Sequence, residues 1–337
     1  SLLGDYKRYR DFLSDRTMAI LTTSRGCPYV CHYCTSEFSK YRSFSVDRVV
    51  EIMRHYKEHG VDYVEFWDET FNPNKKRLAD FADALERADL KLAWGIRGSV
   101  VLHVPYETMV KLKKTGLVVM QFGVETSQDR LAKYLNKRVN TEIVAKAFDT
   151  CHRAGVRTVA NMMINIPGQT KKELAGDLAF LKRIKATYVN ANIYNWAPGT
   201  THYADALRSG VLDTDHWRIH AANPVGPEPI LHANTEMSIA EVYKTRDRFI
   251  WWYYFNPLYI IRYLGMVEAC ELRRAVSIVS LIISGRVKST WFNVKALFSK
   301  ERRALPRTAG KKSPTPVRRS LSKGMPEVSH VVTFESA

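Results

Sequence analysis

Apolar segments rich in β-branched residues alternate with amphipathic segments between residues 17 and 196, and this alternation restricts the possible folds more than any other feature. Strands are predicted at residues 17–24, 62–68, 90–98, 117–125, 156–166 and 187–196. Helices are predicted between them at residues 45–60, 74–88, 105–116, 141–155 and 171–184. Because strands joined by single helices form parallel sheets covered by helices, we predict an α/β fold. The periodicity leaves open whether the sheet is doubly wound or forms a partial barrel.

The alternation weakens after residue 200, and the sequence changes in character toward its C-terminus. A Pro-rich loop at 223–235 precedes an aromatic-rich helix predicted at 238–265, which Asn256 and Pro257 interrupt. Residues 299–337 are basic and contain Ser, Pro and Gly throughout, with little hydrophobic periodicity. We therefore predict four parts, which are a lead-in at 1–16, an α/β domain at 17–215, a helical region at 216–298 and a disordered tail at 299–337.

The formal net charge of the 337-residue chain is +17, which favours anionic partners such as nucleic acid, acidic lipid or phosphorylated substrates. Charge alone does not distinguish among these three classes of partner. The first residues lack the apolar core of a signal peptide, and no apolar run approaches the roughly 20 residues that span a bilayer. We therefore predict a cytoplasmic location, with peripheral contact to a membrane as a further expectation.

Three of the five cysteines, Cys27, Cys31 and Cys34, lie in one short loop after the first predicted strand, with the spacing Cys-x3-Cys-x2-Cys. Few and clustered cysteines argue against a disulfide scaffold and favour metal or redox chemistry in a reducing compartment. A structural zinc site needs four ligands, and His32 is the only nearby candidate for the fourth. A 4Fe–4S cluster held by three thiolates would instead leave one iron open to a substrate. We predict the cluster, with zinc as the alternative.

The stretch GCPYVCHYC, with Tyr33 before the third cysteine, resembles the signature Cys-x3-Cys-x-aromatic-Cys of the radical S-adenosylmethionine (SAM) enzymes. Later segments resemble the same family in order and spacing, namely VEFWDETF (64–71), WGIRG (94–98), FGVETSQDRLAKYLNKR (122–138), NMMINIPGQT (161–170) and APGT (197–200). The resemblance covers residues 17–215 and implies a partial (β/α)6 TIM-like barrel. It also implies that SAM binds the open iron of a 4Fe–4S cluster and is cleaved reductively to a 5′-deoxyadenosyl radical.

Within this family, the segments resemble the cobalamin-linked branch, which includes C-methyltransferases and the anaerobic porphyrin ring cyclase. The resemblance therefore implies cobalamin as a further cofactor and methyl transfer to carbon as the favoured reaction, with radical cyclisation or rearrangement as the alternative. The chain departs from this branch in three ways. Only 26 residues precede Cys27, so no cobalamin-binding domain precedes the barrel in this sequence; Gln169 stands where the branch has Glu; and Cys270 alone cannot hold an auxiliary cluster.

The resemblance assigns contacts with SAM to residues at or near the predicted strand ends, which are Tyr33, Asp68, Glu69, Thr70, Arg97, Glu125, Asn165 and Pro167. Asp68, Glu69 and Thr70 take the place of the family motif that binds the methionine amino group, and a carboxylate suits an ammonium group. The alternative is a solvated acid at the end of the strand. Tyr33 is implied to lie against the adenine, with packing in the loop as the alternative. Pro167 is implied to shape the loop that admits SAM.

Two of these residues, Arg97 and Glu125, have alternative roles. Glu125 is implied to contact the ribose or the methionine of SAM, but an acid next to a helix N-terminus would also be favoured there. Arg97 is implied to hold the carboxylate of SAM or an anionic substrate, with a salt bridge to Glu125 as the alternative. The remaining cysteines, Cys151 and Cys270, are predicted to be small buried hydrophobic residues.

The C-terminal helical region offers two further surfaces. The run WWYYF at 251–255 could stack on a planar or polycyclic substrate or pack in the core, and core packing is the more common use. The helices predicted within 258–298 mix Ile, Leu and Val with Arg and Lys, so they could lie on an anionic membrane surface or pack against the barrel.

The sequence therefore predicts a radical SAM enzyme that modifies an unactivated carbon, most favourably by methyl transfer. The expected partners are a small-molecule or lipophilic substrate and an electron donor such as flavodoxin or ferredoxin. A rival interpretation is a non-catalytic protein that carries a cluster or zinc and binds nucleic acid through its basic surface.

Overall fold

The computed structural model of the protein describes residues 16–71, 73, 75–99, 104–137, 140–212 and 236–266, together with residues 11, 233 and 272. The predicted tail at 299–337 and most of the predicted helical region at 216–298 lie outside these residues. Within the described parts of the chain, no helix combines the length and the apolar character needed to cross a membrane.

Six parallel strands form one sheet, and all six coincide with predicted strands. They are β1 (Met18–Leu21), β4 (Tyr63–Phe66), β5 (Ala93–Ser99), β6 (Leu117–Glu125), β7 (Arg157–Ile164) and β8 (Tyr188–Ile193). A second, antiparallel pair consists of β2 (Ser24–Arg25) and β3 (Arg42–Ser43), which the sequence did not predict because each strand is only two residues long.

The order of the strands decides between the two architectures that the periodicity left open. The six strands follow one another across the sheet in the order β1-β4-β5-β6-β7-β8, without the reversal that a doubly wound sheet requires. Because crossovers between parallel strands are right-handed, connections that all run in one direction place their helices on one face of the sheet. The other face is left free, as in a barrel, and among the described residues β1 and β8 do not pair with each other. The fold is therefore a partial barrel, as the resemblance implied.

Nine helices occur among the described residues. They are α1 (Val46–Glu58), α2 (Lys75–Ala88), α3 (Tyr106–Lys114), α4 (Asp129–Tyr134), α5 (Thr141–Arg153), α6 (Lys171–Ile184), α7 (Thr201–Arg208), α8 (Ile239–Tyr254) and α9 (Pro257–Leu264). The helices α4 and α7 were not predicted, because six and eight residues are too short to give a clear hydrophobic period. The predicted break at Asn256 is confirmed, since Asn256 caps α9 and Pro257 begins it.

The main core lies between the sheet and the helices that cover it. Aromatic side chains fill its first half, where Phe66 stacks on Phe71 at 5.2 Å and packs against Phe81 and Trp94 at 5.7 and 5.4 Å between ring centroids. All four are fully buried. Because β4 places Phe66 toward the helices, the alternate residue Glu65 faces the free side of the sheet. The core thus fixes which side chains reach the barrel interior.

Candidate functional site

The carboxyl ends of the parallel strands lie along one edge of the sheet, and the predicted site residues follow these ends. The cysteine loop follows β1, Asp68 follows β4, Arg97 lies near the end of β5, Glu125 ends β6 and Asn165 follows β7. The fold therefore brings these candidates to one side of the barrel, although they are far apart in the sequence.

The cysteine loop is closed at its base by the pairing of β2 with β3. Gly26 follows β2 with a φ of +77°, and a Cβ atom there would collide with the carbonyl oxygen of Lys40. Glycine suits this position because it tolerates both the left-handed backbone and the close approach. The backbone N–H of Cys27 donates to Ser39 Oγ at 3.1 Å. These contacts hold the two ends of the loop together.

All three thiols of the loop are free and half-buried, and they lie close enough to influence one another. Burial raises the pKa of Cys31 to about 11, and the neighbouring sulfurs of Cys34 and Cys27 raise it as well, whereas the Lys137 ammonium lowers it. The Cys27 Sγ lies 2.9 Å from Thr70 Oγ1. The thiolate form of Cys31 is therefore favoured by positive charge beside it, which Lys137 supplies in part and a bound metal centre would supply further.

The donor set of the loop fits an iron–sulfur cluster better than a zinc ion. Among the described residues, no three His, Cys, Asp or Glu side chains converge tightly enough to hold a single metal ion. In a 4Fe–4S cluster each thiolate binds a different iron, so its ligands need not converge on one point. The proposed fourth zinc ligand, His32, instead lies 4.0 Å from Glu37 and packs edge-on against His202. These residues fit a cluster with three cysteine ligands.

Asp68 is buried, and its carboxylate accepts hydrogen bonds from the turn that precedes the cysteine loop. Thr23 Oγ1 donates to both carboxylate oxygens at 3.1 Å, Ser24 Oγ donates at 2.7 Å, and the backbone N–H of Ser24 also donates to it. Burial raises the pKa of Asp68, while these hydrogen bonds oppose the shift. The alternative of a solvated acid is therefore wrong for Asp68, which is buried and bonded to the polypeptide, while its predicted contact with SAM stays a prediction.

The two residues after Asp68 differ in exposure, since Glu69 faces solvent and Thr70 is buried. Glu69 is exposed and lines an open cavity of about 660 Å³ together with Arg25, Arg42 and Trp67. Thr70 is buried, and its hydroxyl donates to the carbonyl oxygen of Glu69 at 2.8 Å beside the Cys27 sulfur. Of the two, Thr70 is therefore directly next to a candidate ligand, while Glu69 faces solvent.

Glu125 and Lys137 form a buried ion pair beside the cysteine loop. Lys137 Nζ lies 3.2 Å from Glu125 Oε1, and both side chains are largely shielded from solvent. A Cβ atom at Gly123 would stand 2.7 Å from this oxygen and 2.9 Å from the ammonium, so glycine at this position makes room for the pair. Burial raises the pKa of Tyr33 well above its ordinary value, and the adjacent Glu125 carboxylate raises it further. Glu125 therefore lies next to Tyr33, and both residues are predicted contacts of SAM.

Arg97 does not pair with Glu125, so that alternative was wrong. Its Nε lies 3.0 Å from Glu65 Oε2, and its guanidinium stacks over the Trp67 ring at 4.5 Å. The physical reason is register, because β5 lies next to β4 and the side chains of Glu65, Trp67 and Arg97 share the free face of the sheet. Arg97 remains half-exposed, which leaves part of its guanidinium open to an anion.

Asn165 carries an unpaired buried acceptor at the end of β7. Its Nδ2 donates to the carbonyl oxygen of Tyr194 at 3.3 Å, while its Oδ1 is buried without a hydrogen-bond partner. Its φ of +73° is a left-handed conformation that asparagine tolerates. Buried polar atoms are nearly always paired, so this oxygen fits a donor group on a bound cofactor. Pro167 and Gly168 follow in a turn closed by a hydrogen bond from Gln169 N–H to the Ile166 carbonyl at 2.9 Å.

Asp177 on α6 is a residue of the site that the sequence analysis missed. It is buried and accepts hydrogen bonds from Thr126 Oγ1 at 3.1 Å, Ser127 Oγ at 2.7 Å and Ser127 N–H at 2.6 Å. Gln169 Nε2 donates to it at 3.3 Å. Asp177 therefore fixes the loop that follows Glu125. The signal was an acid on the apolar face of α6, where Leu174, Phe180 and Leu181 lie three or four residues away.

The free face of the sheet is polar, which the sequence analysis also missed. Gln121 Nε2 and Asn190 Nδ2 each donate to Asn161 Oδ1 at 2.9 Å, so three amides on β6, β7 and β8 form a continuous row. Gln121 and Asn161 are partly buried and Asn190 is exposed. Because amides offer both donors and acceptors, this row can bind hydrogen-bonding groups of a substrate inside the barrel.

Residues 21–181 match the family described as the Radical SAM superfamily. The chain is 28% identical over 263 residues to an uncharacterized methyltransferase of Pyrococcus horikoshii, a match that covers 76% of this chain and 56% of that protein. It is 25% identical over 198 residues to the anaerobic magnesium-protoporphyrin IX monomethyl ester cyclase of Rubrivivax gelatinosus, covering 57% and 35%. The chain thus spans about half the length, or less, of these curated relatives.

Among solved structures, the chain resembles the radical S-adenosylmethionine methyltransferase TsrM from Kitasatospora setae, which has cobalamin and a 4Fe–4S cluster bound. The TM-score is 0.53 at 15% sequence identity, and the match covers 58% of this chain and 38% of that chain. At this identity the likeness concerns the fold alone, and it agrees with the partial barrel described above.

Proposed function

We propose, on the premise that residues 21–181 are a radical SAM enzyme domain, that this protein cleaves SAM reductively to a radical that takes a hydrogen atom from a carbon of its substrate. The methyl group of a second SAM molecule then replaces that hydrogen atom, and the electron donor supplies one further electron for this transfer. The observation that carries the proposal is the group of three free, half-buried thiols on one loop, at the carboxyl edge of the sheet. Cys27, Cys31 and Cys34 would hold the 4Fe–4S cluster. Bound there, the cluster supplies the single electron that breaks a carbon–sulfur bond of SAM.

The chain's own residues would bind SAM and shield it from water. The unpaired Oδ1 of Asn165 accepts a hydrogen bond from an ammonium or hydroxyl group of SAM. Glu125 and Lys137 place one negative and one positive charge beside the cysteine loop, so they complement the charged methionine part. Their low exposure keeps this end of the site dry, which strengthens each of these interactions.

Methyl transfer is favoured over cyclisation by sequence identity at equal coverage. The methyltransferase of Pyrococcus horikoshii is 28% identical over a match that covers 76% of the chain, whereas a cyclase of Synechocystis that also covers 76% is 21% identical. Cobalamin is proposed as a further cofactor because the fold neighbour TsrM holds it. No group of described residues can be assigned to cobalamin, and no step of the proposal depends on it.

The substrate is proposed to be a small molecule that carries hydrogen-bonding or anionic groups. The amide row at Gln121, Asn161 and Asn190, together with the half-exposed Arg97, makes the barrel interior unsuitable for a wholly apolar molecule. A lipophilic or polycyclic substrate remains compatible if it bears such groups at one end. The proposed electron donor is a small redox protein of the flavodoxin or ferredoxin type.

Anaerobic reconstitution tests the proposal. The protein should bind about four irons per chain and convert SAM to 5′-deoxyadenosine after reduction. Cys31→Ala should lose the cluster, whereas Cys151→Ala, which removes a buried cysteine of α5 far from the loop in sequence, should keep it. With SAM labelled in its methyl group, the label should appear in the product rather than only in methionine.

Failure to bind iron would favour the rival interpretation, a non-catalytic protein that binds nucleic acid. Label found only in methionine, with 5′-deoxyadenosine still formed, would instead support cyclisation or rearrangement. The two outcomes are therefore distinguishable in one set of samples.

A further inference from the structure

The exposed side of α9 is apolar. Leu258, Ile261 and Leu264 are 76%, 70% and 55% exposed, and Ile260 is also exposed. The only charged residue of this helix, Arg262, is partly buried and donates to the carbonyl oxygen of Ala186 at 3.1 Å. A helix that turns its aliphatic side chains to solvent and its arginine toward the protein is the reverse of an ordinary surface helix.

The end of α8 continues this apolar surface. Trp252 and Phe255 are 63% and 62% exposed, and Trp251 stacks on Phe255 at 4.0 Å between ring centroids. Trp251, Trp252 and Phe255 line an open cavity of about 590 Å³ with Pro257, the first residue of α9. The aromatic and aliphatic residues therefore form one surface, which we call the α8–α9 patch and define as Trp251, Trp252, Phe255, Leu258, Ile261 and Leu264.

The opposite faces of these two helices are attached to β8 and to the two residues before it through tyrosine hydroxyls. The hydroxyl of Tyr253 donates to the carbonyl oxygen of Ala186, and that of Tyr259 donates to the carbonyl oxygen of Thr187 at 2.8 Å. Tyr254 contacts the backbone of Val189. The patch is consequently exposed because the other sides of α8 and α9 are committed to the sheet, and the predicted core packing of 251–255 holds only for its tyrosines.

Basic residues surround the patch. Lys182 of α6 lines the same cavity as the two tryptophans. On α8, Lys244 and Arg248 are exposed, eight and four residues before Trp252 respectively, so they extend the same side of the helix. The nearest acid of α8, Asp247, is neutralised by Arg246 at 2.7 Å. The charge around the patch therefore has the same sign as the net charge of +17.

We propose that the α8–α9 patch docks on the surface of an anionic lipid bilayer. Tryptophan, phenylalanine and branched aliphatic side chains with flanking lysine and arginine are the composition of helices that lie in a membrane interface. The basic residues complement the negative surface of such a bilayer, which distinguishes it from a second copy of this equally basic chain. This inference does not depend on the proposed reaction.

Cosedimentation of the full chain with vesicles tests this proposal. The protein should bind vesicles of phosphatidylcholine that contain phosphatidylserine, and it should bind vesicles of pure phosphatidylcholine less strongly. Its binding to the anionic vesicles should be weaker at ~1 M salt, where the Debye length is ~3 Å. The triple variant Trp252→Ser, Leu258→Ser, Ile261→Ser should reduce the partition coefficient on the order of tenfold or more. The control Val211→Ser, which alters an aliphatic residue 60% exposed outside the patch, should bind like the original protein.

A charge test complements the apolar one. Lys244→Glu with Arg248→Glu should weaken binding to anionic vesicles, because both lie on α8 beside the patch. The control pair Arg54→Glu with Lys57→Glu changes the net charge equally but lies on exposed positions of α1, which connects β1 to β4 at the other end of the sheet. Equal loss in both pairs would overturn the patch as the docking surface.

Two other results would also overturn the proposal. If the patch is covered by a second copy, light scattering without lipid should give a dimer that the triple variant dissociates. If it is covered by the apolar segment at residues 275–284 of the same chain, the original protein should not bind vesicles, and the triple variant should unfold at lower temperature.

Discussion

Asp68 and Asp177 each bind a Thr-Ser dipeptide, and the two sets of hydrogen bonds have the same pattern. Each buried carboxylate accepts hydrogen bonds from a threonine hydroxyl, a serine hydroxyl and the serine backbone N–H, from Thr23–Ser24 in one case and Thr126–Ser127 in the other. Thr23–Ser24 lead into the cysteine loop after β1, and Thr126–Ser127 directly follow Glu125, the last residue of β6. The two aspartates therefore position the cysteine loop and the loop after Glu125, respectively.

Asp68→Asn should lower the iron content after reconstitution, because the amide cannot accept all three bonds and the turn before Cys27 loses its anchor. The expected loss of folding free energy is about 1.5–3 kcal/mol, the range for hydrogen bonds to a charged group. Asp177→Asn should cost a similar amount but retain the iron, since its loop carries no cysteine. Full iron in Asp68→Asn together with weakened SAM binding would instead support a direct contact of Asp68 with SAM.

Gln169→Glu should destabilise the protein by about 2–4 kcal/mol at neutral pH, because the new carboxylate would lie beside the buried Asp177. Repulsion raises the pKa of one carboxyl of the pair above its unfolded value, so the variant should lose stability as pH rises from about 5 to about 7.5. Urea denaturation at both pH values measures this. Gln169→Met, which removes the same hydrogen bonds without adding charge, should not show the extra dependence on pH.

Lys137→Met should be more harmful than the double variant Glu125→Gln, Lys137→Met. The single change leaves the Glu125 carboxylate buried without its cation and should cost about 3–5 kcal/mol, as is usual when one partner of a buried pair is removed. The double variant removes the charge as well. Equal destabilisation of the two, measured by thermal unfolding, would contradict the buried ion pair.

His152 should make the protein less stable as the pH falls from about 6.5 to about 4. Burial lowers the pKa of His152 to about 4, so the unfolded chain takes up a proton in this interval and the folded protein does not. The expected contribution is about 1–3 kcal/mol, and it is fully present only above pH ~6.5. His152→Gln should remove this part of the pH dependence. Gln at 152 can still bond to Thr158, which lies 3.1 Å from the imidazole.

The sequence predicted all six strands of the sheet, because buried parallel strands are short continuous apolar runs that Gly and polar residues delimit. Periodicity alone could not distinguish a partial barrel from a doubly wound sheet, because the two differ in the order of their strands. The resemblance to a known family implied the partial barrel, and the strand order in the structure confirms it. The three candidate cysteine ligands could be named from the sequence because their spacing is local.

The side-chain pairs of the site were not predictable, because each joins residues that are distant in sequence. Arg97 and Glu65 are partners through strand register, and Lys137 reaches Glu125 because Gly123 has no side chain. Asp177 could have been suspected as an acid among leucines, but its Thr-Ser partner lies 50 residues earlier. Sequence patterns locate strand ends, while tertiary packing decides which side chains meet there.

The tyrosines of α8 and α9 have a consequence for any shortened version of this protein. Tyr254 satisfies both the N–H and the carbonyl of Val189 on β8, the last strand of an open sheet. A fragment ending at residue 212 would keep every candidate ligand but leave this strand with unpaired backbone groups. Such a strand is a template for pairing with another chain, so the fragment should self-associate edge to edge and accumulate as aggregates.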